Sequence, residues 1–293
     1  MNPKILVLGR NGQTAMELAK LGPPPGFELV FAGRDSFDLS GPGDPDALIE
    51  AEAPSAVINA AAYTAVDRAE SEPDAAFRLN RDAPAALARA CARRDIPFVH
   101  FSTDYVFDGT KPEPYVETDP VAPASVYGRS KAEGEALVLD AGGRALILRT
   151  SWVFSAYGAN FLKTMLRLAR ERAELGVVAD QLGRPTWAED CARGALRAAG
   201  ALLDRDPQAS GVFHLSGEGN ATWADFAQAI FEESARRGGP RADVRRITTA
   251  DYPTPARRPA NSRLDCGKIT AALDWPMRPW RTSLAACFDE LLA

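Results

Sequence analysis

The segment KILVLGRNGQTA, residues 4–15, joins a short apolar run to a turn that contains two glycines. The run from Lys4 to Leu8 predicts a buried parallel strand, and the residues after the turn predict a helix. Gly9 permits a tight turn, Gly12 lets the backbone approach a phosphate, and Ala15 allows close packing of helix on strand. Because the free N–H groups at a helix start attract anions, we interpret this turn as a pyrophosphate site of a dinucleotide. A purely structural turn can carry the same glycines, so the motif alone leaves that alternative open.

Strands and helices alternate along the first half of the chain, which predicts an α/β fold with a doubly wound, mostly parallel sheet. After Thr150 the pattern changes to helices separated by short strands and proline-rich loops. We therefore predict a cofactor-binding unit over residues 1–150. A smaller, mainly substrate-binding unit over residues 151–293 is expected to interleave with the last strands of the sheet. The predicted strands are 4–8, 27–32, 55–60, 97–101, 144–148, 176–179 and 212–215.

Composition excludes several classes of protein. The 293 residues are 46% hydrophobic and 25% charged, which is ordinary for a globular chain, and the net charge of −5 argues against binding to nucleic acid or to an anionic membrane. No uncharged apolar run reaches the ~18 residues of a membrane span, and the N-terminus lacks the apolar region of a secretory signal, so we expect a cytoplasmic protein. The cysteines form no CxxC pair and the histidines lie in apolar runs, so we interpret all of them as packing residues: Cys91, Cys191, Cys266, Cys287, His100 and His214.

The second predicted strand ends at Gly33-Arg34-Asp35, where the adenosine ribose of a dinucleotide would lie. An arginine at this place pairs with the 2′-phosphate of NADPH, whereas an acid binds the ribose hydroxyls of NADH. Since Arg34 comes first, the sequence favours NADPH, while Asp35 leaves NADH open. Arg34 can also be a solvated surface charge. Asp38 and Leu39 follow at a position that suits the adenine edge.

Tyr127 and Lys131 lie four residues apart at the start of a predicted helix, and they therefore share one helix face. An ammonium near a phenol favours the phenolate and lowers the pKa of the tyrosine, so we expect the pKa of Tyr127 to fall toward neutrality. Such a tyrosine can donate a proton to a carbonyl oxygen that receives a hydride. The alternative is an exposed helix pair without chemistry.

Two further positions complete the predicted site. Thr103 and Asp104 follow the fourth strand, where side chains face the binding crevice, and the Thr103 hydroxyl is placed to polarise a substrate carbonyl; a simple strand-closing turn is the alternative. Pro84 lies four residues after Asn80 in a helical run and cannot donate to its carbonyl, so we expect either a free Asn80 carbonyl or a kinked helix. A free carbonyl there would hold a water that supplies protons to Lys131.

Together, the glycine turn, Thr103, Tyr127 and Lys131 resemble the extended short-chain dehydrogenase/reductase family. Five longer segments are similar to the dTDP-4-dehydrorhamnose reductase family within it, and the resemblance extends from Lys4 to Leu292. These segments are 59–70, 102–109, 149–152, 180–186 and 254–262, of which the last is the most specific because it lies in the predicted substrate-binding unit.

The resemblance implies a Rossmann-type fold and the reduction, with NADPH or NADH, of the 4-keto group of dTDP-4-dehydro-6-deoxy-L-mannose to dTDP-L-rhamnose. It implies that Tyr127 donates the proton, that Lys131 holds the nicotinamide ribose and tunes the tyrosine, and that Trp152 contacts the sugar with Thr103 and Asp104. The implied cofactor-binding residues are Gly9, Asn11, Gly12, Gln13, Thr14, Arg34, Asp38, Leu39, Ala62, Tyr63, Thr64 and Lys131.

The residues themselves agree with a nucleotide-sugar substrate. Arg257 and Arg258 lie between prolines in a stiff loop, which would present two guanidinium groups to a diphosphate, although a solvated basic pair is the alternative. Trp152 at a strand end could cover the apolar face of a sugar, or it could simply pack in the core.

The resemblance also leaves room for a magnesium ion and a homodimer, because some relatives bind an intersubunit magnesium through carboxylates that match Glu17, Glu189 and Asp190. Acids in the first turn of a helix are common without a metal, which favours a structural role for them. Other functions stay open from the sequence: another sugar-nucleotide reductase or epimerase, and a non-catalytic dinucleotide-binding regulator similar to the regulatory subunit of methionine adenosyltransferase.

Overall fold

The computed structural model describes residues 2–41 and 43–292, so the outer limits of the two predicted units, residues 1 and 293, lie outside it. Six parallel strands form the central sheet in the order β10-β5-β4-β3-β1-β2. The predicted doubly wound sheet is therefore confirmed. The strands are β1 (Lys4–Leu8), β2 (Glu28–Ala32), β3 (Ala56–Asn59), β4 (Phe98–Thr103), β5 (Ala145–Thr150), β6 (Val153–Phe154), β7 (Glu174–Val178), β8 (Leu182–Gly183), β9 (Thr186–Trp187), β10 (Gly211–His214), β11 (Ala221–Thr222) and β12 (Asp243–Ile247).

Helices cover both faces of this sheet, with α1 and α8 on one face and α2, α5 and α6 on the other. Strand β1 is buried on both sides. Ile5 and Val7 point into the first core, which lies between the sheet and helices α1 and α8, while Leu6 and Leu8 point into the second core, between the sheet and helices α2, α5 and α6. Its sequence is therefore apolar throughout. The helices are α1 (Gln13–Leu21), α2 (Pro45–Glu52), α3 (Val66–Ala69), α4 (Pro73–Phe77), α5 (Ala83–Ala92), α6 (Val126–Asp140), α7 (Phe161–Leu168), α8 (Ala188–Leu203), α9 (Trp223–Arg236), α10 (Gly267–Leu273) and α11 (Trp280–Leu292).

A separate apolar core forms beside the sheet from later parts of the chain. Phe154, Leu162, Phe226 and Trp280 meet there, from β6, α7, α9 and α11. Strand β10 and helix α8 also come from the second half of the chain, but they complete the main sheet and its first core. This separate core thus rests against a sheet to which both halves of the sequence contribute.

The strand order reverses between β1 and β3, which places a crevice at the carboxyl ends of these strands. The glycine turn follows β1, and Thr103 ends β4 at the same edge of the sheet. Residues from distant parts of the sequence are therefore brought to one edge. Among the described residues, no helix is both long and apolar enough to span a bilayer.

The sequence pattern missed some elements. Strand β12, of sequence DVRRI, pairs with β7 but carries mostly exposed charged residues, so it lacks the apolar run that marks a strand. The helical pattern over 73–94 is present, but a π-helical turn at Arg78–Asp82 separates α4 from α5. Pro84 lies just after this turn, as expected for a residue that cannot donate a helical hydrogen bond.

Candidate active site

Helix α6 places Tyr127 and Lys131 on one face, as the spacing predicts. The Ser125 hydroxyl accepts from the Gly128 N–H at 3.1 Å and caps the helix start. Gly128 has no room for a side chain because a Cβ there would collide with the carbonyl oxygen of Tyr105. This close approach sets the Tyr127 ring edge-on against the Tyr105 ring, with centroids 5.5 Å apart.

The Thr103 side chain lies close enough to the Tyr127 hydroxyl to oppose the rise that burial causes in the pKa of that phenol, so the structure brings these two predicted residues together. The Thr103 hydroxyl donates to Asp104 Oδ1 at 2.8 Å. Asp104 is buried, and its other carboxylate oxygen has no hydrogen-bond partner among the described residues. Burial raises the pKa of Asp104 to about 6, against the opposing effect of the nearby Ser262 and Thr103 side chains. A phenol, a hydroxyl and a weakened acid therefore meet at the end of β4.

Lys131 differs from the expectation in one respect. Its Nζ lies 2.5 Å from the carbonyl oxygen of Phe101 and 3.2 Å from His100 Nε2, rather than beside the Tyr127 hydroxyl. Burial lowers the pKa of Lys131 to about 8, and burial also raises the pKa of Tyr127 above its ordinary value. The prediction that the ammonium lowers the pKa of Tyr127 is therefore wrong for this arrangement, because the carbonyl of β4 holds the lysine.

Asn80 contributes more through its side chain than the sequence indicates. Its amide donates to Ser130 Oγ at 3.0 Å and to the Tyr63 carbonyl at 3.0 Å, and its Oδ1 accepts from the Tyr63 N–H at 2.9 Å. Its backbone carbonyl lies against Gly134 of α6, where a Cβ would collide with it. The π-helical turn thus fixes the segment after β3 against α6. No sequence signal pointed to this role of the amide.

The glycine turn has the geometry expected of a phosphate-binding turn. Gly9 has a φ of +104°, which favours glycine, and its N–H donates to the Ala32 carbonyl at 2.8 Å. Gly12 caps α1 and is exposed together with Asn11, so the helix start is open to a ligand. Gln13 Oε1 accepts from Asn160 Nδ2 at 2.9 Å, which ties this turn to the second unit.

The remaining predicted cofactor residues lie along the same edge: Thr14 on α1, Arg34, Asp38 and Leu39 after β2, and Ala62, Tyr63 and Thr64 after β3. Asp35 Oδ2 pairs with Arg10 at 2.9 Å, whereas Arg34 is exposed and has no hydrogen-bond or ion-pair partner among the described residues. Ser40 donates to Asp38 Oδ1 at 2.7 Å and lowers the pKa of that carboxyl. Of the residues that the structure describes after β2, Arg34 is therefore a cation that is free to bind an anion.

The predicted substrate residues lie on the other side of the crevice. Trp152 stacks on Trp223, with ring centroids 3.6 Å apart, and a Cβ at Gly183 would collide with the Trp152 ring. Arg258 donates to the Tyr105 hydroxyl at 2.9 Å and to Asp67 Oδ2 at 2.6 Å, while Arg257 is exposed. The loop that carries both arginines thus reaches across to the residues beside Tyr127.

The predicted magnesium ligands need a correction. Glu17, Glu189 and Glu290 form a carboxylate cluster, whereas Asp190 instead accepts from Ser283 at 2.7 Å and lies 3.4 Å from Arg278. Asp190 follows Glu189 directly on α8, and adjacent helical residues do not point the same way.

An ammonium already lies within this carboxylate cluster. Lys20 Nζ lies 2.9 Å from Glu17, 2.8 Å from Glu189 and 2.8 Å from Glu290. Burial works against the charge of Lys20, but the three carboxylates prevail and raise its pKa. The residues present therefore do not fit a magnesium ion in this arrangement.

The glycine turn, the free cation after β2, and the group of Thr103, Tyr127 and Lys131 at the carboxyl edge of a parallel sheet define a class. They are the parts of a dinucleotide-dependent oxidoreductase of the short-chain dehydrogenase/reductase type.

Comparison with known proteins gives the particular family. Residues 3–293 match the family model described as the RmlD substrate binding domain. A dTDP-4-dehydrorhamnose reductase of Sinorhizobium fredii is 48% identical over 96% of this chain and 95% of its own length. The solved dTDP-4-dehydrorhamnose reductase of Clostridium acetobutylicum is 35% identical with a TM-score of 0.92, over 99% of this chain and 100% of that one. The enzyme of Bacillus anthracis, solved in complex with NADP, is 32% identical with a TM-score of 0.91 over the same shares. The chain belongs to the dTDP-4-dehydrorhamnose reductase family.

Proposed function

We propose that this chain reduces the 4-keto group of dTDP-4-dehydro-β-L-rhamnose to dTDP-L-rhamnose with NADPH. The observation that carries the proposal is the meeting of the Tyr127 hydroxyl with Thr103 at the carboxyl edge of the sheet, one helical turn from Lys131. Family membership supplies the substrate, because relatives that match nearly the whole chain are named dTDP-4-dehydrorhamnose reductases.

Each of the three residues has a distinct task in this proposal. Bound NADPH supplies the hydride that carbon 4 of the sugar receives. Tyr127 donates its hydroxyl proton to the former carbonyl oxygen, which balances the reduction to an alcohol. Thr103 binds that oxygen and orients it, while Asp104 contacts the sugar. Lys131 binds the nicotinamide ribose once its Nζ leaves the Phe101 carbonyl.

The charges after β2 support NADPH over NADH. Arg34 is free to pair with a 2′-phosphate, whereas the competing acid Asp35 is held by Arg10 at 2.9 Å. The Bacillus anthracis relative was solved with NADP. We therefore propose a preference for NADPH, and NADH is the weaker alternative.

The predicted division near residue 150 becomes part of the proposal. We propose that residues 1–150 bind the cofactor and that residues 151–293 mainly bind the substrate, with Trp152, Arg257 and Arg258 as its contacts. Arg257 is the freer of the two arginines, since Arg258 already pairs with Asp67.

The cellular location and the oligomeric state of the protein remain predictions. A cytoplasmic location is supported by four cysteines that are free and buried. A homodimer stays a prediction, and the carboxylate cluster gives no support for a magnesium ion between two copies.

The test follows NADPH absorbance with the dTDP-linked and the UDP-linked ketosugar. We expect oxidation of NADPH with the dTDP form, and we expect Tyr127→Phe to lower kcat by about 10²–10⁴-fold, the range for loss of one general acid. Tyr252→Phe is the matched control, because Tyr252 is 61% exposed and its hydroxyl makes no hydrogen bond to the residues that the structure describes. Full activity of Tyr127→Phe would remove the assigned proton donor.

The same preparation separates the alternatives. An epimerase would retain NAD through purification and would not consume NADPH. A regulator would leave NADPH unchanged and alter only the kinetics of a partner enzyme. Either result would contradict the proposed reductase.

A further inference from the structure

Behind Lys131, two buried side chains form a short hydrogen-bonded row that the proposed reaction does not use. Asn59 of β3 and His100 of β4 are direct neighbours in the sheet, and Asn59 Nδ2 lies 3.1 Å from His100 Nδ1. On the other side of the ring, His100 Nε2 lies 3.2 Å from Lys131 Nζ. Both Asn59 and His100 are fully buried, so water cannot complete their hydrogen bonds.

Asn59 decides which nitrogen of His100 carries the proton. The Ala61 N–H donates to Asn59 Oδ1 at 3.1 Å, so the amide must turn its NH₂ group toward the ring. An NH₂ group only donates, and His100 Nδ1 must therefore accept. Burial, followed by the nearby Lys131, lowers the pKa of His100 well below its ordinary value, so the ring is neutral. Its single proton then lies on Nε2, facing Lys131.

This arrangement matters for Lys131 because an ammonium has three donors and no acceptor. An ammonium would meet the Nε2–H of His100 donor to donor. An uncharged amine can accept from Nε2–H through its lone pair and still donate to the Phe101 carbonyl, 2.5 Å away.

We propose that His100, oriented by Asn59, is a positioning residue that lowers the proton affinity of Lys131 by donating its Nε2–H to the uncharged amine. Buried Lys131, with its pKa lowered to about 8, is consistent with this direction.

The charged groups around Lys131 do not account for its lowered proton affinity. On its own helix, Glu135 raises the pKa of Lys131, but Arg149 of β5 holds that carboxylate through two hydrogen bonds at 2.9 and 2.6 Å. Asp104, after β4, accepts a hydrogen bond from Thr103 at 2.8 Å. Among the charged side chains on the other elements near α6, Asp67 pairs with Arg258, Arg68 with Glu72, and Arg81 with Asp82 and Glu133. Glu70 accepts from the Val126 N–H at the start of α6, at 2.8 Å.

The consequence for cofactor binding rests on the proposed function. A lysine that binds ribose hydroxyls beside a phenol is stabilised as the ammonium, because it no longer faces the Nε2–H of His100. Above the pKa of the free lysine, NADPH binding should therefore be accompanied by proton uptake. At about pH 9 a pKa near 8 leaves about nine-tenths of Lys131 uncharged, so about 0.9 proton is taken up per NADPH bound.

A direct test needs no cofactor. The chain has only six lysines, so protein labelled with ¹³C at lysine Cε allows each one to be titrated by NMR, with Lys131→Arg identifying the signal. We expect Lys131 to titrate near 8 in the unmodified chain. In His100→Gln, the amide oxygen can accept from the ammonium, so the pKa of Lys131 should rise by about one or more.

A second variant keeps the ring and moves its proton. In Asn59→Asp, the carboxylate accepts from Nδ1–H, which leaves Nε2 to accept from the ammonium, and the pKa of Lys131 should rise again. His214→Gln is the matched control, because His214 is equally buried and bonds to the Tyr115 carbonyl and Arg149 rather than to Lys131.

The outcomes are separable. A Lys131 pKa that stays unchanged in His100→Gln and Asn59→Asp, or that is near 10.5 in the unmodified chain, overturns the proposal. In Asn59→Asp the charge of the new carboxylate also raises the pKa of Lys131, so an unchanged pKa in that variant alone is enough to overturn the proposal if His100→Gln does not fold. Calorimetry of NADPH binding at about pH 9, in two buffers of different ionisation enthalpy, should show proton uptake falling to about half or less in His100→Gln. If NADPH does not bind at all, the proposed function fails, and the NMR titration still decides the role of His100.

Discussion

Replacing Glu135 by glutamine is expected to destabilise the protein strongly, because this change leaves a buried guanidinium without its counter-charge. Arg149 donates to both carboxylate oxygens of Glu135, and the two side chains are only 3% and 5% exposed. Breaking such a pair by removing one partner costs about 3–5 kcal/mol, and the lower end applies here because the glutamine oxygen still accepts one hydrogen bond. We therefore expect a loss of about 3 kcal/mol in the free energy of unfolding.

The matched control lies two residues away on the same helix. Glu133 pairs with Arg81 at 3.2 Å, but these side chains are 51% and 34% exposed. Such surface pairs contribute about 0–1 kcal/mol, so Glu133→Gln should be nearly neutral. Urea unfolding followed by circular dichroism measures both variants.

A double variant separates charge from packing. In Glu135→Leu with Arg149→Met, no unpaired charge remains buried, so most of the lost stability should return. If Glu135→Gln is no more destabilising than Glu133→Gln, the reasoning that the pair is desolvated is refuted.

Two further predictions concern the helices around the crevice. Gly134→Ala should destabilise the protein by about 1–3 kcal/mol, because the new methyl group would collide with the Asn80 carbonyl. Gly200→Ala has nothing within 4 Å of its Cβ and should stabilise the protein by about 0.5–1 kcal/mol. Urea midpoints that move in the same direction in both variants would contradict this. Lys20→Met should leave the carboxylate cluster repulsive, so its Tm should fall and magnesium should raise the Tm of the variant more than that of the unmodified chain. Equal responses to magnesium in differential scanning fluorimetry would show that Lys20 does not act in place of a cation.

Residues at the carboxyl ends of parallel strands could be predicted from sequence because their position follows from local pattern. Gly9, Thr103 and Trp152 each follow an apolar run, and the ends of parallel strands meet at one edge of a sheet. The shared helix face of Tyr127 and Lys131 likewise follows from spacing alone.

Contacts between distant segments could not be predicted in this way. His100 reaches Lys131 only because β4 and α6 pack in one register, and periodicity does not give that register. The same limit explains the carboxylate cluster: Glu290 on the last helix completes it, while Asp190 points away, and only the docking of α11 on α8 and α1 decides between them.

The position of Lys131 also bears on how Tyr127 acts as the proton donor. A residue that donates a proton must hold that proton before the reaction, and burial, which raises the pKa of Tyr127 above its ordinary value, favours the protonated phenol. An ammonium already beside the phenol would favour the phenolate, which suits the reverse oxidation rather than the reduction. Holding Lys131 on the Phe101 carbonyl therefore keeps Tyr127 protonated, and movement of the lysine toward the ribose when the cofactor binds would weaken the O–H bond in the complex that then receives the ketone.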